Sequence, residues 1–477
     1  MKNILLFLLI FVVTRVAAQS TTEVLTIENC RQMALEHNKE IKATTYAYEY
    51  ANFTAKSYKG NFLPNIYASG IGLYSNADGG FNTGVGYLPT LAADATGSLV
   101  QDGGYAYFPG MDMSYEVGAV LVGGVTVEQP LYMGGKISTA YKMALLGKDI
   151  AHQQQVLTAT EIIEKTDEAY ALVVRATEMK KVAETYNNLL QELMKTVESA
   201  HKHGMKPRND VLKVQVKLNE SELSMKKADN ALQLAKMNLC HYIGKPVNSD
   251  VEIVSESTFN FDFVNTDHPR MSDQTRLSSF NCNVQHSTNY DVSNRPEYAM
   301  LDKQVELAYQ QVRLNRSELL PQIGVSASYN YVYGGEVNNS TLFDRGMFLA
   351  LLNVNIPLFH FGERKHKVNA AKAKLLQAQM EQQDKNEQMV LELAQATNNL
   401  EEAFLERDIA ERSLVQAEEN MRVSRSQYNA GMETLSDHLE AQTLWQQAYE
   451  TKVDANYKSY LAYVAYQKAS GTLYKGE

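Results

Sequence analysis

Ten histidines, three cysteines and 55 acids give this 477-residue chain many reactive groups, and few of them are spaced for chemistry. His201 and His203 stand two apart, and on a helix such residues point in different directions, so a solvated surface accounts for them better than a metal site. His360 and His366 are not at ligand spacing either. Cys30, Cys240 and Cys282 are odd in number and far apart, matching neither a disulfide framework nor a CxxC metal site. They are expected to be buried thiols. Nucleophile-elbow, zincin, phosphate-loop and dinucleotide fingerprints do not occur, and the Asp-containing loop before Pro130 lacks calcium-loop order. No enzyme and no cofactor is expected. The remaining chemistry is acidic: Asp437 and Glu440 are three apart and share a helix face. Taken alone, such acids fit the solvated first turn of a helix, where the macrodipole favours negative charge.

The elements that position these acids come from a duplication. Pro130-Leu131-Tyr132 with Gly135 aligns with Pro357-Leu358-Phe359 and Gly362 at an offset of 227. The same ungapped diagonal joins Gly204-Met205 to Gly431-Met432, Asp210 to Asp437, Gln215 to Gln442 and Gly244 to Gly471. Fixed length over that distance is what rod-like helices require, because one inserted residue rotates everything after it by about 100°. Upstream, Leu63-Pro64 aligns with Leu320-Pro321 at an offset of 257. The first copy therefore carries extra residues between Pro64 and Pro130, assigned to a long Gly-, Asn- and Asp-rich loop at 76–112.

From Glu363 to Ala430 there is no Gly or Pro, and from Lys136 to His203 only Gly147. Continuous helices of that length run about 100 Å. Met389, Ala396, Ala403, Ala410 and Ala417 recur every seven residues, with Leu393, Leu400, Leu414 and Met421 four further on and Arg407 as the break. Ala169, Ala176 and Ala183, with Val173 and Met194, repeat the pattern in the first copy. Small residues at a sustained heptad position imply close coiled-coil packing rather than a broad core. Each rod should end at a left-handed glycine, Gly204 or Gly431, and a second helix should follow to about Ile243 and Ser470. Shorter helices at about Leu25 to Phe62 and Pro296 to Leu319 complete the set.

Two strands fit between each Leu-Pro and each Pro-Leu. Ile323, Val325, Ala327, Tyr329, Tyr331 and Tyr333 alternate with Gly324, Ser326, Ser328 and Asn330, and Phe348 to Ile356 alternates with a face carrying Asn353 and Asn355. In the first copy Tyr115 to Val127 alternates with Glu116, Thr126 and Glu128, whereas the segment after Pro64 shows no clear face. Between Gly60 and Gly135 lie 16 of the 27 glycines and no Lys or Arg. A chain-average share is about seven basic residues, so this segment fits a lipid-facing band. With 45 basic against 55 acidic residues and a net charge of -10, a broad basic surface for nucleic acid is excluded. Four strands cannot close a barrel, and a hollow one calls for three copies.

Met1-Lys2-Asn3, the apolar run Ile4 to Val13 and the small residues Val16-Ala17-Ala18 read as a secretory signal peptide over residues 1–18. Arg15 interrupts the run short of a membrane span. The organisation expected is therefore a signal at 1–18, a first repeat at 19–247, an inter-repeat segment at 248–294 and a second repeat at 295–477.

Two copies of helix, Leu-Pro, strand pair, Pro-Leu-x-x-x-Gly, long helix and Gly-turn-helix resemble the TolC family of outer-membrane efflux proteins, from about Leu25 to Gly471. The resemblance implies a mostly α fold with a membrane β-barrel: long antiparallel helices form an α-barrel tunnel, and four strands per protomer enter a twelve-stranded barrel of a homotrimer. It implies the outer membrane of a Gram-negative bacterium, with outer-membrane lipid around the barrel and a helical part in the periplasm. It also implies a periplasmic adaptor and an inner-membrane pump of RND or ABC type. Pro64, Pro130, Pro321 and Pro357 match the helix–strand corners. The turns Gly204-Met205-Lys206 and Gly431-Met432-Glu433-Thr434 match adaptor contacts. Asp437 and Glu440 match the acids of the periplasmic gate, and threefold symmetry gathers six carboxylates that attract cations and resist closure. Asp210 and Tyr428 match a pair that ties neighbouring helices shut, although Glu433 stands where a basic companion is expected. The implied function is an exit duct for small molecules. A channel for type I protein secretion, and a non-conducting secreted coiled-coil scaffold or adhesin, are the alternatives.

Overall fold

The computed structural model describes residues 24–254, 290–338 and 340–474. The signal assigned to 1–18, Cys282 and most of the inter-repeat segment 248–294 lie outside the described residues. Two compact units emerge, one of Met1–Tyr50, Lys148–Val305 and Ala378–Glu477, the other of Ala51–Gly147 and Glu306–Gln377.

In chain order the elements are β1 (Val24–Leu25), α1 (Ile27–His37), α2 (Lys39–Gly60), β2 (Asn65–Asn82), β3 (Gly86–Ala93), β4 (Leu99–Phe108) and β5 (Asp112–Tyr132). There follow α3 (Lys136–Lys202), α4 (Arg208–Tyr242), β6 (Glu252–Ile253), α5 (Pro296–Ser317), β7 (Gln322–Val337), β8 (Ser340–Asn355), α6 (Glu363–Asn429) and α7 (Leu435–Ala469). The rods α3 and α6 each have 67 residues and their followers α4 and α7 each 35, with both ends of each pair displaced by 227.

All four of these helices end alike. Gly204, Gly244, Gly431 and Gly471 adopt φ of 73°, 74°, 75° and 71°. The amide one residue beyond each glycine reaches back to the carbonyl of Ala200, Cys240, Gln427 or Gln467 at 2.8–3.0 Å. This is the double-bonded left-handed cap that satisfies the orphan carbonyls of a helix end.

The heptad positions are where the helices pack. Met389, Leu393, Ala396, Leu400, Ala403, Ala410 and Leu414 on α6 are buried, as are Ala169, Val173, Ala176, Ala183 and Met194 on α3. One apolar cluster joins Leu190, Leu193 and Val197 of α3 to Val214 of α4, Leu414 and Tyr428 of α6, and Leu435, Leu439 and Trp445 of α7. A second joins Leu25 and Cys30 to Tyr170 and Val174 of α3, to Leu239 and Cys240 of α4 and to Ile243, which caps it. There β1 pairs in parallel with β6, and the Tyr170 hydroxyl donates to the carbonyls of Leu25 and Val254. Cys30 and Cys240 are free and buried, and burial pushes the Cys30 thiol up to about 12, so it is unreactive.

In the other unit β2, β5, β7 and β8 form an antiparallel sheet in that order. The register puts Ile66, Val127, Ala327 and Ala350 in one row and Ala68, Val125, Tyr329 and Phe348 in the next. Period-two patterning thus becomes one apolar band across four strands. Ser326 and Ser328 of β7 pair with Leu351 and Leu349, so on β8 the polar face is interrupted between Asn353 and Arg345.

Four sequence expectations are changed or refined. The helix drawn from Leu25 to Phe62 is broken at Asn38, which leaves helical geometry at ψ 134°. Its side-chain oxygen accepts from the Glu40 amide, so Asn38 caps α2 while its own amide closes α1. Residues 76–112 are not an open loop: β2 continues to Asn82, and β3 and β4 pair as a further hairpin with Tyr87 opposite Tyr107. The irregular alternation expected along β5 has a break at Gly118, at φ 52°, where the register to β7 shifts between Glu116 and Val120. Pro130 lies inside β5, opposite Gly324 and beside a further shift, whereas Pro64 and Pro321 precede their strands and Pro357 follows β8.

Candidate functional site

The α3–α4 and α6–α7 turns carry the implied tip residues. Met205 and Met432 are both over 70 % exposed, which the apolar cluster a few residues away cannot explain. Thr434 caps α7: its hydroxyl accepts from the Asp437 amide at 3.3 Å and donates to Asp437 Oδ2 at 2.7 Å. Asp437 and Glu440 lie on the exposed side of α7, while Leu435, His438, Leu439, Gln442 and Trp445 make its buried stripe. Lys213, the repeat counterpart of Glu440, reaches across to Ser436 Oγ at 2.9 Å and so ties α4 to α7 within one chain.

Asp210 acts on Tyr428 through its charge: burial first, then Asp210, holds the phenol above its ordinary value. The Tyr428 ring is stacked on His438, with centroids 5.0 Å apart and planes 5° from parallel. Lys206 Nζ lies 5.0 Å from the same ring's centroid, a cation–π contact from the opposite turn. Glu433, in the place of the basic companion, has a buried Oε2 without a hydrogen-bond partner.

His438 is the residue that sequence spacing missed. It is buried, with Nδ1 2.9 Å from Ser424 Oγ of α6 and Nε2 3.0 Å from Gln442 Nε2. No neighbouring His, Cys or acid at a helical interval marks it, and only its place at i, i+4 with Gln442 inside an apolar stripe could have done so. His201 and His203 are exposed and turn their Nδ1 atoms to the carbonyls of Lys206 and Ser199, while His360 pairs with Glu363 at 3.1 Å. Among the described residues no group of three or more His, Cys, Asp or Glu is arranged to hold a metal ion, and no helix is long and apolar enough to cross a membrane.

Two rods of equal length, each with its capped follower, and a four-stranded sheet with an apolar band define the class of fold. The outer membrane efflux protein family matches the chain over residues 30–245 and 292–472, and the chain belongs to that family. It is an outer-membrane protein of the TolC type, from a Gram-negative bacterium, with a periplasmic helical domain. The fold is similar to that of CusC, at 14 % identity over 93 % of this chain and 92 % of that one, with a TM-score of 0.71. It is also similar to the Vibrio cholerae outer membrane protein VceC, at 14 % identity over 93 % and 96 % of the two chains and a TM-score of 0.68. The Campylobacter jejuni outer membrane channel CmeC matches at 17 % identity over 94 % and 87 %, with a TM-score of 0.70. No curated protein matches by sequence.

Proposed function

We propose that the chain is the outer-membrane exit duct of a tripartite efflux pump. Three copies supply twelve strands to one barrel, and small molecules pass without energy input from periplasm to exterior. The observation that carries this reading is the pair of 67-residue rods and 35-residue followers, together with a main sheet that among the described residues has four strands, too few to close a barrel around a lumen. A periplasmic adaptor docks on the Gly204-Met205-Lys206 and Gly431-Met432-Glu433-Thr434 turns, where the two exposed methionines offer adaptable apolar contact. An inner-membrane pump of RND or ABC type supplies the energy and chooses the cargo. Asp437 and Glu440 of three copies form the acidic periplasmic gate, with Asp210 and Tyr428 beside it.

Deletion of the gene is expected to raise intracellular accumulation of a fluorescent dye several-fold, with restoration by the wild-type chain. Normal dye efflux together with loss of a secreted protein moves the assignment to type I secretion.

A further inference from the structure

From Leu435 to Trp445 the buried stripe of α7 is apolar except for His438 and Gln442, and the duplication shows that the fold does not need the histidine. At the 227 offset, His438 corresponds to Val211 and its partner Ser424 to Val197. In the first copy those two valines pack in the same apolar cluster, Val197 fully buried and Val211 partly so. The second copy has replaced an apolar pair by a hydrogen-bonded one at the same place between the same kinds of helix. Burying polar groups in such a stripe is costly unless each is satisfied.

The hydrogen bonds specify the proton. Gln442 Nε2 donates to His438 Nε2, so the neutral ring carries its hydrogen on Nδ1 and donates it to Ser424 Oγ. Gln442 Oε1 and Glu433 Oε2 are meanwhile buried without partners. A second proton on the ring would sit on Nε2, facing an amide that is itself a donor. The arrangement must then change: the amide turns over to present Oε1, or the ring moves toward Glu433 and off its stack on Tyr428, and the charge remains costly in an apolar stripe until the ring reaches water. A cavity of about 190 Å³ beside the ring, lined by Glu192, Arg425, Tyr428 and Gln442 among others, gives space for it.

We propose that His438 is a proton-operated latch: neutral, it ties α7 to α6 through Ser424 and Tyr428; protonated, it lets go and loosens the tip. The charges facing it come from every packed element. Arg425 on α6 opposes protonation and Glu433 in the α6–α7 turn favours it. Glu192 on α3 partly neutralises Arg425 at 3.5 Å, Lys206 of the α3–α4 turn sits on the Tyr428 ring, and Asp210 of α4 acts on that phenol. Asp437 and Glu440 lie on the exposed side of the same helix. Burial outweighs the rest and holds the imidazole below its ordinary 6.5. A loosened tip, with the ring in water, therefore binds the proton first as pH falls, and the packed tip loses stability from about 6.5 down to the depressed value. The consequence for conduction rests on the gate assignment above, whereas the latch itself does not.

The test compares the full-length wild-type protein with a Ser424→Val, His438→Val double variant, which restores the apolar pair used by the first copy. Hydrogen exchange of peptides covering residues 421–445, measured at pH 7.5 and 5.5, gives a wild-type to variant ratio free of the intrinsic pH effect. The ratio is expected to rise at pH 5.5 by up to about tenfold, the limit set by a pH one unit below the ordinary imidazole value. A Gln442→Glu variant, with a carboxylate against Nε2, should move the transition up by about one pH unit. In planar bilayers the wild type should open more often on acidification and the double variant should not. Loosening without a change in conductance supports the latch and sinks the gate assignment. An unchanged exchange ratio, or equal pH responses in both proteins, overturns the latch.

Discussion

Arg31 and Asp167 stand 136 residues apart in the sequence and meet in a bidentate ion pair, Nε to Oδ1 at 2.7 Å and Nη2 to Oδ2 at 2.6 Å. The Asp167 side chain is fully buried and the Arg31 side chain 32 % exposed. Removing the arginine leaves a carboxylate in the packed wall without its partner, so Arg31→Met is expected to cost about 3 kcal/mol, read as an earlier loss of helical signal on heating. An unchanged melting profile would show that water already reaches Asp167. Neither this pair nor His438 was legible in the sequence. Both depend on which residues of distant helices face each other, and heptad spacing reports only that a position is inward. The tip acids were legible as an exposed helix face, because Asp437 and Glu440 follow a threonine cap and flank a buried stripe. Their gathering into a ring requires neighbouring copies.

At the scale of elements, the four helix-ending glycines separate two costs. Their φ angles agree within a few degrees, so alanine imposes a similar backbone strain of about 1 kcal/mol at each. Around Gly204 and Gly431 a Cβ meets nothing within 4 Å. At Gly244 it would lie 2.7 Å from His37 Cβ, and at Gly471 2.8 Å from the carbonyl carbon of Asn294. Gly204→Ala and Gly431→Ala should therefore be tolerated, whereas Gly244→Ala and Gly471→Ala should cost about 3 kcal/mol each and reduce folded yield. Equal losses at all four would mean that strain alone decides. The rods and caps were readable from sequence because a heptad and a terminal glycine are local signals. The break at Asn38 was not, since α1 and α2 form a continuous run of helix-compatible residues and only the contacts of Asn38 to Tyr242 and Glu40 show the turn. The β3–β4 hairpin was hidden by its glycines and aspartates, which read as loop.

For the whole molecule, that hairpin is an addition to a sheet that is complete without it. Thr83 and Met111 are joined by a backbone hydrogen bond of 3.0 Å, and Gly84 and Gly110 follow at φ of 64° and 73° with their backbones in close approach. Two residues of positive φ are what a two-residue type I′ turn requires. Excision of residues 85–109, joining Gly84 to Gly110, should leave the β2–β5–β7–β8 sheet and trimer assembly intact, checked by heat-modifiable migration on gels. Loss of the trimer would show that the hairpin takes part in assembly.

The equal rods, the band across four strands and the family membership support the proposed conducting trimer, and single-channel recording of the purified full-length protein in planar bilayers tests that proposal most directly. The expected result is discrete conductance steps from a heat-modifiable trimer, reduced cation preference on Asp437→Asn with Glu440→Gln, and no need for an energy source. A protein that is extracted by salt, migrates as a monomer without heating and never opens a pore would contradict the assignment.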